Sequence, residues 1–177
     1  MFVRFRIIAI VFILLILASS ITFAQESRFE DITFQGKILA KLDTESIKYE
    51  NDTYTKELLI NVWIKTIPDQ TTGEYTLCNY LFNPKKRQAM LLSQFSYDED
   101  SNIISQTVNK YNYALWTPIV PETLTDQWYM ETVKYTIKHH KDLIKQYKNR
   151  KSDNSENSIY DKFNSWLNDV GNMFSIN

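Results

Sequence analysis

Between residues 29 and 108, apolar and polar side chains alternate with a period of two, and turn-like residues interrupt the alternation. Such a period places the apolar positions on one face of a β-strand. The alternation is clearest in residues 58–65, where the aliphatic positions are Leu58, Ile60, Val62 and Ile64. We predict that this segment is a central strand of an antiparallel sheet.

Other β-rich segments surround this strand, at residues 36–42, 46–50, 75–82, 87–97 and 103–108. The Asn-Pro pair at the start of residues 83–86 favours a turn, so the strands on either side should form a hairpin. The polar residues 98–102 predict another turn. The expected sheet therefore has about six antiparallel strands.

The pattern changes at Trp116, because Pro118 and Pro121 interrupt the alternation. Thr123 and Asp126 resemble a helix capping box in which Asp replaces Glu, so a long helix should begin there. At 100° per residue, one arc of this helix contains Tyr129, Val133, Ile137, His140, Ile144 and Tyr147. We expect this arc to pack against the sheet. The predicted fold is α+β, with an antiparallel sheet and one long C-terminal helix in a domain of residues 25–147.

Beyond this domain, residues 148–157 read as a polar linker, and residues 158–174 as a short amphipathic helix. The apolar face of that helix contains Ile159, Phe163, Trp166, Leu167, Val170, Met173 and Phe174. The face could dock on its own sheet, pair with a second copy of the chain, or enter a groove of another protein. A membrane surface is a weaker candidate, because Lys162 is its only basic residue.

Residues 1–24 have the order of a secretory signal peptide: a basic start, the apolar run 7–17, and small residues. Thr22 and Ala24 occupy the positions that a signal peptidase reads, which predicts cleavage between Ala24 and Gln25. The alternative is an uncleaved anchor, since residues 7–24 approach the roughly 20 residues that span a bilayer. Ser20 stands where a lipoprotein signal needs cysteine. We therefore expect an exported protein without a lipid anchor, in the periplasm, at the cell surface or secreted.

Removal of this leader takes away two arginines, so 18 basic residues remain against 21 acidic ones, a net charge of about −3. That balance argues against a nucleic-acid-binding protein, which needs a concentrated basic surface. The length indicates one domain. Its single cysteine, Cys78, cannot form an internal disulfide.

Short matches occur in a fixed order along the chain: Leu42-Asp43-x-x-Ser46-Ile47, Val62-Trp63-x-Lys65-Thr66, Tyr97-Asp98, and Trp116-x-Pro118-Ile119-x-Pro121-x-Thr123. In this succession the chain resembles the surface-adhesin protein E family over residues 32–137. The resemblance implies a curved antiparallel sheet with a C-terminal helix across its concave face. It also implies binding to host matrix and plasma proteins, as in the best-known adhesin member. This chain lacks the acylated cysteine of lipoprotein members and has no cysteine in its helix.

Residues suited to catalysis are few. His139 and His140 are the only histidines, and neighbours on a helix point about 100° apart, which disfavours a shared metal. We expect His140 to be a packed core residue, His139 to lie at the surface, and Cys78 to be a buried thiol. Residues 98–102 begin like a calcium loop, but Ile103 stands where the loop needs glycine. Gly36, Gly73 and Gly171 are too far apart for a phosphate-binding loop. We predict no enzyme activity, no cofactor and no metal.

Two surfaces remain as candidates for binding a partner, and the first is the apolar face of residues 158–174. The second is a basic stripe on the long helix, formed by Lys134, Lys138, Lys141 and Lys145. Residues 85–87 could extend this stripe, and its alternative role is that of an ordinary solvated helix face. The predicted function is a non-catalytic binding module of the cell envelope or surface. The alternative is an accessory periplasmic protein that acts through residues 158–174.

Overall fold

The computed structural model describes residues 28–68 and 71–150. The core of the fold is an antiparallel sheet whose strands follow one another in chain order. The strands are β1 (Phe29–Phe34), β2 (Lys37–Asn51), β3 (Leu58–Thr66), β4 (Tyr75–Asn83), β5 (Gln88–Tyr97) and β6 (Ile103–Val108). A two-residue strand, β7 (Thr117–Pro118), pairs with the start of β5. The predicted α+β fold with about six antiparallel strands is confirmed.

The segments predicted as separate strands at 36–42 and 46–50 are one strand, β2. The pairing of β2 with β3 shifts register between Asp43 and Lys48. Ser46 explains how the strand continues through this irregularity, because its Oγ donates to the Asp43 carbonyl at 2.7 Å and accepts the Trp63 N–H at 2.8 Å. The hydroxyl thus supplies a partner where a regular ladder would use backbone atoms.

β3 is the central strand that the alternation predicts. Ile60, Val62 and Ile64 are each 0% exposed and belong to the main apolar core, which lies between the sheet and the helices. Leu59, on the opposite face, forms a smaller cluster with Leu81 and Met90. The partly buried Trp116 covers this second cluster from the segment that leads to the helices.

Two helices follow the sheet, α1 (Leu124–Lys138) and α2 (His140–Arg150). The predicted cap is present: Thr123 Oγ1 accepts the N–H of Asp126 at 3.3 Å. The Asp126 carboxylate accepts the N–H of Glu122 at 3.1 Å, one residue before the N-cap position. Both helices pack against β2, and α1 also contacts β1.

The prediction of one uninterrupted helix is wrong, because the helix breaks at His139. Ile137, which was predicted to pack against the sheet, is 38% exposed, whereas Leu143, outside the predicted arc, is buried. Tyr129, Val133, Ile144 and Tyr147 are buried as predicted, and His140 is partly buried. Two shorter helices can follow a twisted sheet where one straight helix would leave it.

The predicted cleavage site, Ala24 and Gln25, and the predicted C-terminal helix lie outside the described residues. The same holds for each member of its apolar face: Ile159, Phe163, Trp166, Leu167, Val170, Met173 and Phe174. Within residues 28–68 and 71–150, no helix is long and apolar enough to cross a membrane.

Candidate functional site

Four of the exposed large apolar side chains among the described residues line one cleft at an end of the sheet. Tyr54 is 74% exposed and Tyr113 is 59% exposed, and Val108 and Leu115 lie beside them in a single cleft. Ile103 and Ile104, also exposed, belong to β6, the strand that ends in this cleft. Grouped apolar exposure of this kind marks an interaction surface, whereas scattered exposure is ordinary.

The cleft has a volume of about 700 Å³ and is open to solvent. Apart from Tyr54, its lining comes from the segment that follows β6: Val108, Asn109, Lys110, Tyr111, Asn112, Tyr113 and Leu115. It therefore combines aromatic rings and amides with one basic side chain. A few polar groups among aromatic ones are typical of ligand-binding sites, which occupy about 300–1,000 Å³.

Asp52 connects two of the segments that line this cleft. It is 2% exposed, and one carboxylate oxygen accepts the N–H groups of Tyr54 and Thr55, both at 2.8 Å. The other carboxylate oxygen accepts the phenol of Tyr111, and Trp116 Nε1 donates to that phenol at 3.4 Å. This network ties the turn before β3 to the segment after β6.

The network keeps Asp52 ionised. Burial raises the pKa of this carboxyl, but hydrogen bonds from Tyr111, Thr55 and Tyr54 together outweigh burial, and the pKa lies below its ordinary value. The pKa of Tyr111 is raised by burial and by its bond to Asp52. At neutral pH the Asp52 carboxylate is therefore ionised and accepts a hydrogen bond from the protonated hydroxyl of Tyr111.

The wall of the cleft is also held in place. Asn109 donates its N–H to the Leu92 carbonyl at 2.7 Å and its side-chain amide to the Leu91 carbonyl at 3.0 Å. On the other side, the Lys86 ammonium lies 5.8 Å from the centre of the Tyr113 ring. Preorganised aromatic side chains lose little conformational entropy when they bind a ligand.

The basic residues predicted at the β4–β5 turn are engaged within the chain. Lys86 forms a 2.8 Å ion pair with Glu57, and Arg87 a 2.6 Å ion pair with Asp126. These carboxylates neutralise two of the three cations that could have extended the lysine stripe. Lys85 is exposed.

The stripe itself lies on both helices. All of its members are exposed: Lys134 and Lys138 in α1, and Lys141 and Lys145 in α2. Lys134 pairs with Glu131 in the preceding turn at 2.6 Å. The break at His139 separates the two halves of the stripe, and its role as a binding surface stays a prediction.

The residues considered for catalysis pack into the fold. Burial raises the pKa of the Cys78 thiol to about 11, so this side chain carries little thiolate at neutral pH. His139 stacks on Tyr135 with ring centres 4.3 Å apart, and burial lowers the pKa of His140. Among the described residues, no group of His, Cys, Asp and Glu has the arrangement of a metal site.

The acidic segment at residues 98–102 forms the predicted hairpin turn between β5 and β6. The carboxylate of Asp98 accepts both the backbone N–H and the side-chain amide of Asn102, at 2.7 and 3.1 Å. Ser101 adopts a φ of 64°, the left-handed conformation that closes such a turn. Its geometry is therefore that of a solvated turn.

Comparison of the chain with known proteins finds no matching family model, no matching curated protein and no matching solved structure. The resemblance to the surface-adhesin protein E family therefore stays a prediction. The sequence reasoning missed the cleft, although the run Asn109-Lys110-Tyr111-Asn112-Tyr113 carried a signal. Tyrosine and asparagine concentrated in a connecting segment are typical of binding loops.

Proposed function

We propose that this protein is an exported, non-catalytic binding module of the cell envelope or surface. It binds a partner protein at the cleft that contains Tyr54 and Tyr113. The observation that supports this function is the grouping of Tyr54, Tyr113 and Leu115, all exposed, in a cleft whose two segments are joined by the hydrogen bonds of Asp52. Tyrosine offers a large contact area and a hydroxyl while losing only two side-chain torsions on binding.

The chemistry of the cleft favours a protein partner with an apolar or aromatic side chain. Lys110 is the only charged residue in the lining, and the remaining positions are aromatic, aliphatic or amide side chains. Protein interfaces are enriched in tyrosine and depleted of charge at their centre. The resemblance to the surface-adhesin protein E family and the leader sequence support a partner outside the cytoplasm.

The proposal is tested with residues 25–177, purified and passed over arrays of purified matrix, plasma and envelope proteins. Substituting both Tyr54→Ala and Tyr113→Ala should weaken binding at least about tenfold, since aromatic anchors dominate interface energies. Ile137→Ala, which truncates an exposed apolar residue of α1, is the control and should bind normally. Equal binding by the double variant, or no binding by the natural chain, contradicts the proposal.

A second proposed function is that of an accessory envelope protein acting through residues 158–174. The sequence observation in its favour is an apolar face that includes Phe163, Trp166 and Phe174, placed beyond a polar linker. Surface-protease digestion of intact cells separates the two functions, because an adhesin must be accessible from outside the cell. A fully protected protein would favour the accessory role.

A further inference from the structure

β6 is an unprotected edge of the sheet. It is the last strand in the sheet order and pairs only with β5 among the described residues. All six of its side chains are exposed, and none is charged or proline. An edge with these properties presents backbone N–H and C=O groups to any extended chain of compatible shape.

The opposite edge, β1, carries the features that normally prevent edge pairing. Its sequence includes Glu30 and Asp31, its pairing shifts register between Ile32 and Thr33, and α1 packs against it. Charged residues, irregular pairing and a covering helix are recognised protections of sheet edges. β6 has a register shift opposite Ser96 and Tyr97 but lacks the charges and the covering helix. The two edges therefore differ in what they can bind.

We propose that β6 pairs with β6 of a second copy of this chain, antiparallel and about a two-fold axis on which Ser105 of one copy faces Ser105 of the other, so that opposed side chains share one face of the sheet. This pairing places Ile103 opposite Thr107 and Ile104 opposite Gln106 across the axis. Cross-strand contacts between β-branched side chains stabilise a sheet, and the absence of charge in β6 removes like-charge repulsion. Two sheets then join into one continuous sheet, in a symmetric interface of the commonest kind.

Charge complementarity at both ends of β6 favours a second copy over an unrelated extended peptide. The same axis brings Lys110 of one copy level with Asp100 of the other, in the acidic turn that also contains Asp98 and Glu99. Because the interface is symmetric, this match of opposite charges occurs twice. Such matches set the register of an interface and favour the correct partner.

The pairing also affects the cleft. Val108 lines the cleft and lies opposite Asn102 of the second copy, so the β5–β6 turn of the second copy lies beside the rim. The dimer does not depend on the proposed function, because it requires only the edge strand and the charges at its ends.

The first test measures the molar mass of residues 25–177 by light scattering and sedimentation at rising protein concentration. The natural chain should shift from monomer to dimer. Ser105→Lys should remain monomeric, because it places two like charges opposite each other on the axis and puts the usual protective residue on the edge. Thr33→Lys, the matched change on β1, should dimerise like the natural chain.

The second test exchanges the charges. Lys110→Glu or Asp100→Lys alone should raise the dimer dissociation constant at least about tenfold, and the combined variant should restore it. Restoration reports a contact between copies, because the two residues lie at opposite ends of β6 within one chain. The proposal is overturned by any one of three results. These are a natural chain that stays monomeric, a Ser105→Lys variant that dimerises normally, and a combined variant that does not regain the natural dissociation constant. None of these outcomes decides whether the cleft binds a partner.

Discussion

Asp52 shows how one buried charge organises a surface. Its carboxylate accepts two backbone N–H groups and a phenol, and these bonds join two segments that are distant in the chain. A buried carboxylate is stable only when donors replace the water that it has lost. Asp52 therefore positions the exposed tyrosines of the cleft without having to contact a ligand itself.

Asp52→Asn should lower the free energy of unfolding at neutral pH by about 2 kcal/mol, because charge-assisted hydrogen bonds become neutral ones. The folded pKa of Asp52 is lowered, so its contribution is complete above its ordinary value of 3.8 and declines as the pH falls through the folded value. Urea unfolding from about pH 7 to about pH 3 should show the difference shrinking below about pH 4. Glu74→Gln, an exposed control, should change little, and a difference that stays constant to the lowest pH contradicts this prediction.

Asp126 is the second residue with a combined role, since it accepts from Glu122 at the start of α1 and from Arg87 at the β4–β5 turn. Asp126→Ala should lower the free energy of unfolding by about 2 kcal/mol, because it leaves a half-buried guanidinium without its carboxylate. Chemical denaturation measures the loss. Asp142→Ala, which removes an exposed acid from the first turn of α2, should cost less. Equal losses would mean that the ion pair contributes nothing.

At the scale of elements, the features that depend on a local sequence pattern could be predicted from the sequence. The alternation of β3 and the cap at Thr123 are local, and both are present in the structure. The break at His139 is not marked by proline or glycine, so the local sequence does not predict it. The cleft was equally hidden, because Tyr54 and Tyr113 become neighbours only when the sheet forms.

If the lysine stripe binds a partner, Lys134→Glu combined with Lys141→Glu should abolish a salt-sensitive interaction with an acidic protein or polysaccharide. Both side chains are exposed, so the melting temperature should change little. Heparin binding measured at two salt concentrations serves as the assay. Lys37→Glu combined with Lys56→Glu, at exposed sites on the sheet side, is the control. Undiminished binding by the stripe variant removes the stripe from consideration.

At the scale of the whole molecule, the described residues close a core of their own. Ile144 and Tyr147 of α2 are buried in the same cluster as Ile60 of β3, so the helices and the sheet of the described residues share one core. Truncation can therefore separate a role in stability from a role in recruitment.

Deleting residues 153–177 should leave the free energy of unfolding within about 1 kcal/mol of the full chain, while any partner bound through that segment is lost. Denaturant unfolding and pull-down with purified envelope proteins measure the two effects. Phe163→Ser combined with Trp166→Ser in the full chain should reproduce the loss of the partner. A loss of several kcal/mol on truncation would instead mean that the segment packs against the domain.

The helices cover the sheet unevenly. They pack mainly against β1 and β2, and Trp128 and Tyr129 extend the cover to Tyr80 and Phe82, whereas both faces of β6 stay exposed. The β1 edge of the sheet is therefore covered by helices, whereas the β6 edge is not. The backbone amides of β6 should exchange with solvent first. A transient opening of this fold would begin at β6, the strand that is also best suited to pairing with another sheet. Local unfolding and assembly would therefore involve the same few residues.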